Sequence, residues 1–212
     1  MRFSLCAFLF VIATPIACLA QDWEVGGAGG YGWYANPSIS TPLGSAQAGF
    51  TNRGVIGAVF GESPYEHWGG EIRYLLQFGG PELRLDGGRT NLPGHTNLVV
   101  YDFLVHMTRK EDKLRPFLAG GAGIKVFTGD GSYLIGQSSQ NFVTLVPHTQ
   151  VEPVISAGAG LKYRATRHVQ LRVDFRTYFS PLPDDIFRRS RNTVLSGWAY
   201  NFVPMAGISY MF

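Results

Sequence analysis

Val169-Gln170-Leu171-Arg172-Val173-Asp174-Phe175-Arg176 alternates apolar and polar residues without interruption. Side chains of a strand point to opposite faces in turn, so the odd positions form one apolar face and the even positions one polar face. No helical period of 3.6 residues fits this stretch. Working outward from it, seven further segments share the period of two, giving eight in all: 22–34, 46–61, 66–78, 95–108, 115–127, 149–164, 168–179 and 197–212. Each is longer than the five or six residues typical of globular strands. They match the roughly nine to eleven residues that a tilted strand needs to cross a bilayer.

The connections alternate in length. Residues 35–45, 79–94, 128–148 and 180–196 are long and rich in Gly, Pro, Ser, Asn and Asp. Short links fall at Glu62-Ser63-Pro64-Tyr65, at Arg109-Lys110-Glu111-Asp112-Lys113 and at Ala165-Thr166-Arg167. Membrane barrels place long loops outside and tight turns in the periplasm. The expected fold is therefore an all-β, eight-stranded, antiparallel, up-and-down transmembrane barrel with both ends of the chain on the periplasmic side. A soluble lipocalin-like barrel would instead bury its apolar residues and display the polar ones.

Composition agrees with a membrane barrel. The chain has 212 residues with 16% charged, 14% aromatic and 27 glycines, an unusual balance for a soluble enzyme. A net charge of +3 without a basic stripe gives no basis for nucleic-acid binding. Residues 1–20 read as a signal peptide: Arg2 precedes the apolar run Phe3–Ala13, Pro15 interrupts it, and Cys18-Leu19-Ala20 sets small residues before Gln21. The domain expectation is a signal peptide over 1–20 and a barrel over 21–212, with export by the Sec route. Both cysteines, Cys6 and Cys18, lie in the leader, so the mature chain would carry no disulfide and no thiolate metal site. No cofactor and no metal are expected, since the five histidines are scattered.

Parity assigns the faces. The lipid side is expected to carry Ile72, Tyr74, Leu76 and Phe78, then Val99, Tyr101, Phe103 and Val105, then Tyr200, Phe202, Ala206, Ile208, Tyr210 and Phe212. The lumen is expected to hold Glu24, Arg53, Glu71, Arg73, Asp102, Lys125, Glu152, Lys162, Arg172, Asp174 and Arg176, five acids and six bases. An eight-stranded barrel has room inside for side chains and not for a wide channel. Charges enclosed there must pair, because an unpaired one is costly. The reading is a structural ion-pair network, with an ion path or catalytic dyad as its alternative. Gly121, Gly123, Gly158 and Gly160 share the inward parity and would leave space for the long basic side chains. Trp23 and Trp68 would lie low on the outer face and Trp33 and Trp198 high, where amphipathic rings suit the two bilayer interfaces.

Pro153 to Phe179 resembles the sixth and seventh strands of small outer-membrane barrels of the kind that includes the OmpA transmembrane domain and the opacity-type proteins. Gly158, Gly160, Tyr163, Asp174, Phe175 and Arg176 carry the match. The ending Ile208-Ser209-Tyr210-Met211-Phe212 is similar to the terminal signature that the barrel assembly machinery recognises, with Phe212 as its aromatic end. The resemblance implies a fold and the outer membrane of a Gram-negative-type bacterium, with membrane lipids and lipopolysaccharide as surroundings; it does not fix an activity. No peptidoglycan-binding module is expected after Phe212, so the resemblance does not imply wall anchoring.

Three functions compete. The first is a non-catalytic barrel with a structural or adhesion-like role, its long loops offering a surface for a ligand. Arg188, Arg189 and Arg191 in the fourth loop would contact lipopolysaccharide phosphates, to which a guanidinium makes forked contacts. The second is a narrow channel for ions or small solutes. The third is a lipid A-modifying enzyme, for which His95 and His148 lie near the outer rim without a clear Ser and acid partner, while His106 and His168 lie near the periplasmic side.

Overall fold

The computed structural model describes residues 23–35, 38–41, 44–85, 88–131, 143–189 and 197–212. The expected leader, residues 1–20, and Arg191 lie outside the described residues. Eight long antiparallel strands close a barrel: β1 (Trp23–Ala35), β4 (Arg53–Glu62), β5 (Trp68–Phe78), β8 (Gly94–His106), β9 (Leu114–Gly129), β11 (Thr149–Arg164), β12 (Val169–Pro181) and β14 (Trp198–Met211). Each pairs with the next in the chain, and β14 pairs with β1 to close the ring. Closure removes every free sheet edge and satisfies the backbone between strands, as a hydrocarbon environment demands.

Six shorter strands extend the long-loop end. β2 (Ser38–Thr41), β3 (Gly44–Phe50), β6 (Pro81–Leu85) and β7 (Gly88–Asn91) form a four-stranded sheet, and β10 (Val143–Leu145) pairs with β13 (Phe187–Arg189). This corrects one expected boundary. Segment 46–61 is not a single strand: β3 ends at Phe50, and β4 begins at Arg53. At the break, Thr51 donates its backbone N–H to the Gly80 carbonyl and Asn52 accepts from the Tyr34 N–H, so the chain leaves the barrel ladder and enters the loop sheet.

The exterior is apolar. Ile72, Tyr74, Phe78, Val99, Tyr101, Phe103, Tyr200, Ile208 and Tyr210 are all exposed, in agreement with their parity. Exposed large apolar residues on every barrel strand far exceed the scattered ones of a water-facing surface. Trp33, Trp68 and Trp198 point outward, and the half-buried Trp23 stacks on Phe60 with ring centroids 5.0 Å apart. Trp23 and Trp68 stand at the short-turn end and Trp33 and Trp198 toward the long-loop end.

Candidate functional site in the lumen and the loop head

The inward positions of the short-turn half carry a balanced cluster of four acids and four bases: Glu24, Glu71, Asp102 and Asp174 with Arg73, Lys162, Arg172 and Arg176, all buried. Glu71 is its hub. It accepts from Arg73 at 2.7 Å, from Arg176 at 2.7 Å and from Arg172 at 2.9 Å. Asp174 lies 2.8 Å from Arg73 and 3.1 Å from Arg172. Glu24 takes Lys162 at 2.6 Å and Arg172 at 3.5 Å, and Gln170 also donates to it. Asp102 stands 3.5 Å from Arg176. Strands β1, β5, β8, β11 and β12 all contribute, so the cluster spans the lumen rather than lining one wall.

Small residues make room for it. A β-carbon at Gly160 would stand 2.6 Å from both Asp174 Cβ and Phe117 Cζ, closer than real contacts allow. The Phe117 ring in turn lies beneath the cations of Arg176, Arg172 and Lys162, at 5.4, 5.9 and 5.7 Å from its centroid. Gly160→Val is therefore expected to destabilise the barrel by about 1–3 kcal/mol through overpacking. A lowered urea midpoint in lipid vesicles, with the heat-dependent gel shift retained, checks this.

Three of the eleven expected lumen charges stand apart from the cluster. Arg53 is exposed at the top of β4 and does not enter the lumen. Glu152 is half-buried at the loop end of β11, where Gln150 donates to it at 2.6 Å. Lys125 is buried, but its ammonium meets rings instead of carboxylates: Tyr34 at 4.7 Å and Phe127 at 4.8 Å. Such cation–π contacts stabilise a desolvated cation.

Above the charges the lumen turns apolar. Ala28, Val55, Leu75, Leu98, Val100, Val154, Tyr178, Val203 and Met205 form one buried cluster on inward positions. A small polar layer follows, in which Asn201 donates to Gln77 at 2.6 Å and Tyr34 donates to it at 3.3 Å. Both Gln77 and Asn201 continue the inward parity of their strands, a signal that an alternation count restricted to charged residues passes over. Next comes a second apolar cluster, built by β1, β9, β14 and all four long loops: Tyr34, Ala48, Phe50, Leu83, Leu92, Phe127, Leu145, Leu182, Ile186, Phe187 and Ala199. Glu82 is buried beside it and paired with Arg84 and, at 3.3 Å, with Arg89. The long loops thus form a packed head with its own core. At the height of the charge hub, Arg73, Asp102, Arg176 and Tyr178 have no contact with solvent, so the barrel is filled there.

No family model and no curated protein sequence matches the chain. Solved structures do. The Neisserial surface protein A, NspA, aligns over 90% of this chain and 97% of its own with a TM-score of 0.57 at 12% identity. The outer membrane protein OprG from Pseudomonas aeruginosa aligns over 91% and 96% with a TM-score of 0.57 at 15% identity. The N-terminal β-barrel domain of OprF, from the same organism, covers 91% and 98% with a TM-score of 0.50 at 16% identity.

The chain has the fold of a small outer-membrane β-barrel. In membrane barrels of this fold the short turns face the periplasm and the long loops the cell exterior. The outer membrane of a Gram-negative-type cell is its location. A charge placed on the belt tests the assignment: Ile72→Arg, near mid-height of β5, is expected to cost about 2–4 kcal/mol of stability in vesicles. An unchanged urea midpoint would remove Ile72 from the lipid face.

At the extracellular rim of this outer-membrane barrel, His95 lies 3.9 Å from Asp130 and His148 lies 4.0 Å from Asp185. These are weak, exposed pairs, and neither ring is joined to a serine by a hydrogen bond among the described residues. His168 is exposed and stacks on Tyr210 at the periplasmic end, while His106 is buried against Phe117. Of the three loop arginines singled out above, Arg188 and Arg189 belong to β13, on the head.

Proposed function

We propose that this barrel is a non-catalytic outer-membrane protein whose extracellular head presents an interaction surface at the cell exterior. One observation carries the reading: four long loops are spent on a folded head with its own apolar core, set on a lumen filled by paired charges and side chains. A channel needs a continuous wet path, and a filled eight-stranded lumen offers none. In this reading the eight charges of the lumen cluster, and Lys125 above them, serve structure. Trp23, Trp33, Trp68 and Trp198 anchor the barrel at the two bilayer interfaces. Phe212 is the residue read by the assembly machinery.

The head stands at the level of lipopolysaccharide headgroups, and Arg188, Arg189 and Arg191 are the residues we assign to their phosphates. Arginine suits phosphate because its planar fork donates two parallel hydrogen bonds. Replacing all three by Gln is expected to weaken co-sedimentation with lipopolysaccharide-containing vesicles at least fivefold, while binding to phosphatidylcholine vesicles stays unchanged. Equal binding by wild type and variant would remove the assignment.

The wider reading has its own test. Replacing residues 38–50 and 81–91 by short Gly-Ser turns removes the four-stranded loop sheet and leaves the barrel strands intact. The trimmed barrel is expected to keep its heat-dependent gel shift and to lose surface association. Undiminished association, or regular current steps from the intact protein in planar bilayers, would overturn the proposal.

A further inference from the structure

Arg53 has the inward parity of β4 yet stays out of the lumen, and it lines a pocket instead. A cavity of about 420 Å³ opens where β4, β5 and β8 meet the four-stranded loop sheet. Thr51, Arg53, Phe78, Asn91 and Pro93 contribute side chains to it, and three glycines contribute bare backbone.

Backbone contacts set the pocket. Gly79 follows β5 with a φ of +126°, a conformation that favours glycine, and donates its N–H to the Gly94 carbonyl at 3.3 Å. Gly80 lies so near the Leu92 carbonyl that a β-carbon would stand 1.9 Å from its oxygen. Thr51 is tied to the same place, its N–H and its hydroxyl both donating to the Gly80 carbonyl, at 3.0 and 2.9 Å.

The charge around the pocket is balanced in number but not in commitment. Arg53, Arg84 and Arg89 stand against Glu82, Asp130 and Asp86, the last of which lies outside the described residues. Glu82 is buried and paired with both Arg84 and Arg89. Asp130, whose N–H reaches the Pro93 carbonyl at 2.8 Å, stands 3.9 Å from His95. Among the described residues no acid lines the cavity, and Arg53 is exposed there with its planar fork of donors.

The height is that of the upper aromatic girdle. Arg53 pairs with Gly32, next to the outward Trp33, and the Tyr31 hydroxyl donates to the Asn52 carbonyl at 3.1 Å. Phe78 is exposed on the lipid-facing parity of β5. The pocket thus joins a cation and an amide to an apolar ring at the level where outer-leaflet headgroups begin.

We propose that this pocket binds a phosphorylated sugar, the lipid A headgroup of lipopolysaccharide in the outer leaflet. The Arg53 fork and the Asn91 amide would meet the phosphate, and Phe78 the sugar ring and the first methylenes, which a soluble sugar phosphate lacks. The ligand is the one assigned above to the loop arginines, but the residues are different, so the two sites can fail separately.

The test counts bound lipid by native mass spectrometry on the whole folded barrel in a polyoxyethylene detergent, which has neither phosphate nor sugar. The probes are bisphosphorylated lipid A, the same lipid A stripped of both phosphates, and glucosamine 1-phosphate. Wild type is expected to bind the phosphorylated lipid at least tenfold more tightly than the stripped one. R53Q is expected to lose at least fivefold toward the phosphorylated lipid and nothing toward the stripped one, whereas F78A should weaken both. Tight binding of glucosamine 1-phosphate with the same dependence on Arg53 would support the site and assign it to a soluble sugar phosphate. Equal binding of the two lipids by wild type, or equal binding of the phosphorylated lipid by wild type and R53Q, overturns the proposal. A loss confined to R188Q/R189Q/R191Q would overturn it too and leave the loop arginines standing; a loss confined to R53Q would support it and remove them. Should R53Q fail to show the folded gel shift, N91D supplies the reading, because Asn91 is exposed and a carboxylate there would repel phosphate. A fivefold loss is expected, and unchanged affinity overturns the site.

Discussion

Glu71→Ala is expected to lower the unfolding free energy by about 3–5 kcal/mol, measured as a shifted urea midpoint of the barrel refolded in lipid vesicles. The size follows from what the substitution leaves behind. Three guanidiniums, Arg73, Arg172 and Arg176, converge on the Glu71 carboxylate within 2.9 Å. Without it they share Asp174, Asp102 and Glu24, and the buried cluster becomes net positive. An uncompensated buried charge costs far more than the pair itself contributes. The same reasoning sets the companion result. Replacing the cluster as a whole by apolar side chains of similar volume is expected to be close to neutral, because no charge is then stranded. If Glu71→Ala leaves the midpoint unchanged, the hub assignment is wrong.

The second large effect is expected in the head. Phe50→Ala should cost about 3–5 kcal/mol, the range for deleting a well-packed buried ring. Phe50 stacks on Phe127 at 4.5 Å, lies tilted against Tyr34 at 5.3 Å and meets Phe187 edge-on at 5.9 Å. These partners come from two barrel strands and the fourth loop, so the ring ties the head to the wall. The loss should be local. Protease cleavage within residues 38–50 and 81–91 is expected to accelerate more than tenfold, while the gel shift of the barrel persists. Cleavage at the wild-type rate would show that the head does not depend on this ring.

How much of this was readable in advance depends on where alternation is strict. From Val169 to Arg176 every inward residue is polar and every outward one apolar, and the strand and both its faces follow directly. The eight barrel strands were legible for that reason, and so was the shared face of Glu71 and Arg73, which flank the outward Ile72. Reading stops where apolar residues occupy both faces. In Leu75-Leu76 and Val99-Val100 one residue points inward and one outward; parity sends Leu76 and Val99 to the lipid side, but an inward face read from its charges leaves Leu75 and Val100 out. The apolar layer of the lumen was invisible on that account. The head was hidden by a different cause. Residues 46–50 keep a period of two that runs on into β4, and the departure from the barrel is made by the Thr51 N–H donating to the Gly80 carbonyl and the Asn52 side-chain oxygen accepting from the Tyr34 N–H, which no local pattern announces. Lys125 has the inward parity of the other charges, yet its neighbours at that height are rings, a fact of register between strands.

The closure of β1 against β14 constrains the order in which the molecule is made. Val25 pairs with Tyr210, and Glu24 with Met211, so the seam joins residues from opposite ends of the described chain. Contacts between residues this far apart along the chain form late, because closing a long loop costs entropy before any contact repays it. The pairs Lys162–Glu24 and Arg172–Glu24 reach across the same seam, with sequence separations of 138 and 148. Hairpins such as β11–β12 can form early, but Glu24 meets its cations only when the first and last strands come together. Until then the sheet is an open ribbon with two unpaired edges and part of its charge cluster incomplete. Assembly of this barrel should therefore be all-or-none at its final step, with seam pairing and charge neutralisation arriving as a single event.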